Sequence, residues 1–314
     1  MQPTTTAWPE LPYKAWRDTC ETLQLWTQIV GKIRLAQTPW LNHSWHVTLY
    51  VTSRGLTTSP IPHGLHTFEI EFDFIAHELV IAVRDGASRT IALEPRMVAD
   101  FYAAVMSALD ELGISVHINE YPCEIAAAVR FTADRMHSAY DRDYAQRFWQ
   151  ALVQVDRVLK QFRTGFIGKA SPVHFFWGSF DLAVTRFSGR RAPQFPGKAP
   201  GLSAAVMQEA YSHEVSSAGF WPGGNGIDYA AFYSYAYPTP PGFEKHPVRP
   251  EGAAFNATLG EFLLPYDKVR TAPDPDAALL DFLQSTYEAA ADAANWNRAE
   301  LECPHGIAGV PRKI

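Results

Sequence analysis

His174, Asp181, Arg186, His213 and Glu214 are ionisable residues set in two stretches, SPVHFFWGSFDLAVTRFSGR and AYSHEVSSAGFWPGG. Both stretches otherwise read as β-strand, from their Phe, Trp, Val and Thr. Burying such groups without partners costs several kcal/mol, so they are solvated, paired or functional. Two chemistries suit them. His174, His213 and Asp181 form a two-His, one-carboxylate set of the kind that holds a divalent transition metal with open positions for substrate. Alternatively, His174, Asp181, His213 and Glu214 serve as general acids and bases, an imidazole beside a carboxylate being tuned toward neutral pH. His46, Trp177, Arg186, Tyr211 and Trp221 are the expected binding residues. Parity complicates the first set. On one continuous strand His174 and Asp181 point to opposite faces, and a bulge at Gly178 would be needed to turn Asp181 inward.

Other motifs are weaker. Ser171, Ser179, Ser212, Ser216 and Ser217 lie near His, but no GxSxG motif is present. WPGGNG fits neither phosphate-loop nor dinucleotide patterns and reads as a turn. His46 with Glu69 or Glu71 is a further acid/base set, against the simpler reading of a wet sheet face. Arg54, Lys169 and Arg186 are candidate holders of an anion, and Cys303-Pro304-His305 is read as accidental.

These groups need elements to position them. Trp16, Leu23, Trp26, Val30 and Ile33 recur at helical spacing and predict a helix over 12–35. Residues 44–52 alternate, with Trp45, Val47, Leu49 and Val51 on one face and His46 and Thr48 on the other, predicting a long strand. Strands are expected over 67–74 and 79–83, then a turn at Arg84-Asp85-Gly86, a strand over 90–93, and a helix from Pro95 to Leu112 capped by Gly113. The second half repeats the order. It has a helix over 143–166, strands over 173–187, 213–221, 229–237 and 261–265, and a helix opening at Asp274-Pro275-Asp276.

The fold class is therefore α+β: two similar halves, 12–135 and 136–298, each a mostly antiparallel sheet with flanking helices in a single body, then a loose tail over 299–314. A shift of 133 positions lays Ala15-Trp16 on Phe148-Trp149, Pro39 on Pro172 and Val51-Thr52 on Val184-Thr185. Internal duplication is one reading, and chance likeness of two α+β halves is the other. If duplicated, the faces bearing His46 and Asp181 should look into one cleft.

Composition bounds the function. With 47% hydrophobic and 19% charged residues the 314-residue chain is globular, and a net charge of −6 argues against a nucleic-acid partner. No apolar run is long enough to span a membrane. The start, MQPTTTAWPELPYKAW, has no basic and apolar signal-peptide pattern, and the three cysteines are odd in number and far apart. Both point to a reducing cytoplasm.

The segments NHSWHVTLYVTSRGLTTSPIP, SPVHFFWGSFDLAVTRFSGR, SHEVSSAGFWPGG and DAALLDFLQSTYEAAA resemble one bacterial family, domain-of-unknown-function family 5996, from Trp8 to about Glu300. The resemblance implies a single-domain bacterial protein and carries over no functional residue. The expected function is an enzyme acting on a small polar molecule in an aromatic-lined cleft. The alternatives are a binding protein whose pocket is Trp177, Phe220 and Trp221, and a structural partner protein.

Overall fold

A computed structural model describes residues 7–224 and 226–312. The first half opens with helix α1 (Tyr13–Gln37). Strands β1 (Tyr50–Val51), β2 (Gly55–Thr57), β3 (Ile61–His63), β4 (His66–Asp73), β5 (Glu78–Val83) and β6 (Ser88–Ala92) follow, then helix α2 (Val98–Glu111). The second half has α3 (Arg142–Thr164), β7 (His174–Phe176), β8 (Asp181–Arg191), α4 (Ala204–Ala210), β9 (His213–Trp221) and β10 (Ala231–Tyr237). It continues with β11 (Ala254–Asn256), β12 (Glu261–Pro265), α5 (Tyr266–Arg270), α6 (Pro275–Ala293) and α7 (Arg298–Leu301). The class is α+β with two antiparallel sheets, ordered β1-β2-β4-β5-β6 with β3 beside β4, and β11-β12-β10-β9-β8-β7. Their edges meet where Leu49 and Phe175 exchange backbone hydrogen bonds of 2.9 and 3.0 Å. One apolar cluster draws on both halves, from Trp8 to Trp296.

The local signals behave as their physics requires. Asp141 and Asp274 cap α3 and α6 by accepting from the Tyr144 and Ala277 N–H, and Gly113 ends α2 at a φ of 72°. Gly86 turns at a φ of 95° between β5 and β6. Helix α2 starts at Val98 rather than Pro95, because the N–H groups of Arg96 and Val98 bond to Ser138 and His137. In WPGGNG, Gly224 and Ile227 close a turn, and Asn225 lies outside the described residues. Residues 1–6 and 313–314 lie outside them too. The tail residues expected to be loose are held instead: Cys303 and Gly306 bond to the Thr164 end of α3.

Two sequence expectations fail for tertiary reasons. The strand expected over 44–52 shrinks to Tyr50–Val51, preceded by a turn in which His43 and Ser44 have φ of 58° and 57°. Here both alternating faces are buried between the sheets, so side chains replace the ladder. Trp177 Nε1 donates to the Val47 carbonyl at 2.7 Å, and Arg34 donates to that of Thr48. The strand expected over 173–187 is a hairpin, β7 and β8, turning at Trp177–Phe180 with Phe180 at a φ of 60°. Both halves follow a helix, meander, helix order. Their residue-by-residue match is not kept, since a shift of 133 lays β4 on 199–206, a loop and the start of α4.

Candidate functional site

Side chains alternate across β8, β9 and β10. Leu182, Val184, Ala218, Phe220 and Phe232 pack inward. Asp181, Ala183, Thr185, Phe187, Val215, Ser217, Tyr233 and Tyr235 face outward, into a cleft of about 380 Å³ roofed by the 40–47 segment and α4. The hairpin resolves the parity problem without a bulge. Asp181 lies opposite Phe176 and Ala183 opposite His174, so both members of the expected pair share the cleft face.

Asp181 sits on the cleft floor and accepts hydrogen bonds from Ser179 Oγ and the Tyr233 hydroxyl. Beside it comes Glu124, from the loop after α2, held at a φ of 61° by its N–H bond to Pro200 at 2.7 Å. Gly178 makes the approach possible, since a Cβ there would overlap the Glu124 carboxyl. Burial pushes Glu124 up to about 7, with the Asp181 charge adding to the shift. Burial likewise raises Asp181 to about 6, opposed by the Ser179 and Tyr233 hydrogen bonds. Glu261 rises to about 7 by burial and the same neighbour. All three carboxyls are therefore held above the ordinary carboxylate range, Glu124 and Glu261 each facing the Asp181 charge.

Helix α1 builds this corner with a stripe at four-residue spacing. Gln24 Nε2 donates to the Gly178 carbonyl at 2.7 Å. Gln28 clamps Cys123, donating to its carbonyl and accepting from its N–H, each at 2.9 Å. Gly31 leaves room for the Trp177 ring. Lys32 enters the cleft, with its ammonium 5.9 Å from the Trp177 ring centre and its pKa lowered by burial.

Residues 8–303 match a family model described as a family of unknown function (DUF5996). The chain belongs to this family. No curated protein and no solved structure matches it. The DUF5996 span takes in the whole cleft, from Lys32 to Tyr235.

Of the residues expected at the site, Asp181, Trp177 and Tyr211 line the cleft, and the Tyr211 hydroxyl lies 3.1 Å from that of Tyr235. The others lie elsewhere. His174 is fully buried, bonded through Nδ1 to Thr48 Oγ1 at 2.9 Å, and burial lowers its pKa to about 3. His213 pairs with Arg191 at the far end of β8, and its Nδ1 bonds only to Ser212. Glu214 is bound by Arg190 and Ser188 on the surface. Arg186 projects from the opposite sheet face onto the Phe162 and Tyr287 rings and donates to the Phe162 carbonyl at 2.6 Å. His46 packs on Trp40 and bonds to Leu41, away from Glu69 and Glu71, which bond to Thr57 and Thr52. Trp221 is half-buried on the outer face, beyond the cleft.

The metal set His174, His213 and Asp181 is thus not assembled. His174 and His213 are separated by eight positions of β8 and lie on opposite sides of it. Among the described residues no group of three His, Cys, Asp or Glu side chains is arranged to hold a metal ion.

His174 has a structural consequence. With Nδ1 paired to Thr48 and Nε2 without a hydrogen-bond partner among the described residues, it is held neutral. Thr48→Val is expected to cost about 1–3 kcal/mol at neutral pH by orphaning Nδ1, measured by urea denaturation. Because the folded pKa lies below the unfolded 6.5, the contribution of His174 to stability is lost as pH falls below about 6.5.

Glu124, Lys32, Tyr233, Tyr235, Trp40, Trp45 and His43 are cleft residues that the sequence reasoning did not select. The alternation in AFYSYAY carried a readable signal for the tyrosines, whereas Glu124 and Lys32 carried none.

Proposed function

We propose that the protein is an enzyme acting on a small polar molecule in this cleft, with the Asp181–Glu124 carboxyl pair as its acid and base. The observation that carries the reading is the pair itself, two neighbouring carboxyls on the floor of an aromatic-walled cavity of ligand size. Asp181 accepts from both the Ser179 and Tyr233 hydroxyls, which favours its ionised form and the role of base, while Glu124, with no such donor among the described residues and raised by burial, is the one to hold a proton and give it. Carboxyls take the role first assigned to His174 and His213. The three free cysteines, Cys20, Cys123 and Cys303, support a cytoplasmic setting. Among the described residues no helix is long and apolar enough to cross a membrane, and a net charge of −6 disfavours nucleic acid as partner.

Infrared difference spectroscopy tests the pair. A protonated carboxyl band titrating between about pH 6 and 7, lost in part in Asp181→Asn and in Glu124→Gln, is expected. Carboxyls fully ionised by about pH 5 would remove the reading. Once NMR screening of small polar compounds finds a turnover, either variant should slow it by about 10²–10⁴-fold. A ligand bound unchanged in the wild-type protein would favour a binding protein instead.

A further inference from the structure

Two ionisable groups in the cleft have no hydrogen-bond or ion-pair partner among the described residues. Lys32 is 6% exposed and makes no hydrogen bond or ion pair with any described residue; the Trp177 ring lies 5.9 Å from its ammonium, and the Cys123 thiol faces both it and Glu124. The Glu124 carboxyl also has no hydrogen-bond donor or ion-pair partner among the described residues, although its backbone is fixed by Pro200. The two do not pair with each other. A buried ammonium and a half-buried carboxyl each lose much of their hydration, and a folded chain keeps such groups apart only when something else compensates them. The wall beside them is apolar, formed by Trp45, Phe176 and Phe187.

We infer that the cleft takes a zwitterion of the amino-acid class, its carboxylate received by Lys32, its ammonium by Glu124 with Asp181, and its side chain by the aromatic wall. This rests on the reading of the cleft as a small-molecule site and names the chemistry that site selects. A ligand with both charges satisfies both ends at once. One with a single charge leaves the opposite end desolvated and unpaired, which is costly.

Titration calorimetry with each standard amino acid, and with the N-acetyl and carboxamide counterparts of the tightest binder, tests the inference. At least one amino acid should bind, with both counterparts weaker by about tenfold or more. Lys32→Met should bind amino acid and carboxamide equally, and Glu124→Gln should narrow the gap between amino acid and N-acetyl form, with Asp181 keeping the remainder, melting curves confirming that both variants fold. No binding of any amino acid at millimolar concentration, or counterparts as tight as the parent in the wild-type protein, would overturn it. The infrared titration separates the two failures. A persisting neutral-pH carboxyl band without amino-acid binding removes the zwitterion alone, and amino-acid binding without the band removes the acid–base pair alone.

Discussion

Asp181→Asn is expected to make the protein more stable than the wild type at pH 8 and to flatten the dependence of its stability on pH. Asp181 is raised from 3.8 to about 6, and Glu124 from 4.5 to about 7. The folded state therefore holds these protons more tightly than the unfolded chain. Well below the unfolded values of 3.8 and 4.5 both states are protonated and nothing is lost. As pH rises through the folded pKa values, the folded state must ionise groups it disfavours, and stability falls until about pH 8. A shift of about two units corresponds to about 3 kcal/mol for Asp181, an order-of-magnitude figure. Asparagine removes that charge, keeps one oxygen to accept from one of the two hydroxyls while its amide NH2 can donate to the oxygen of the other, and relieves Glu124 of its like-charged neighbour. The opposite effect of His174 operates below about pH 6.5 in both proteins and cancels in the comparison. Urea denaturation of both proteins from pH 5 to 8 measures the difference. Parallel profiles would show that Asp181 ionises normally in its buried position.

Gly31→Ala is expected to destabilise the protein, against the usual direction for a helix interior. In an open helix the change gains about 1 kcal/mol from lower backbone entropy cost. At Gly31 the new methyl would overlap the Trp177 indole, which cannot retreat without giving up its 2.7 Å bond to the Val47 carbonyl. Overpacking of this kind costs about 1–3 kcal/mol, and the orphaned carbonyl adds about 1–3 kcal/mol, so a net loss of about 1–5 kcal/mol follows. Urea midpoints give the sign. A double-mutant cycle with Trp177→Leu tests the cause: the loss from Gly31→Ala should largely vanish once the indole is gone. A stabilised Gly31→Ala protein would mean that Trp177 moves freely, and with it the cleft wall it forms.

What was legible before folding was whatever depends on near neighbours. The 3.6-residue spacing of Trp16, Leu23 and Trp26 and the period-two pattern of Phe68, Ile70 and Phe72 decide which faces are apolar, and these elements form as expected. The Asp274 cap, the Gly86 turn and the Gly113 terminus are equally local. Asp181 and Trp177 could be singled out because ionisable and aromatic residues stand out in an apolar strand.

The tertiary structure decided which of those residues meet. A single four-residue turn at 177–180 put Asp181 on the face of His174, a result that continuous alternation forbade. Burial on both sides turned 44–49 from a strand into a segment bonded by side chains. Glu124 reaches Asp181 across 57 positions of sequence through Pro200, Gln28 and the missing side chain of Gly178, and Lys32 is buried only because α1 is covered on its polar side as well. Convergence of this kind depends on long-range contacts, and period, propensity and composition carry no record of them.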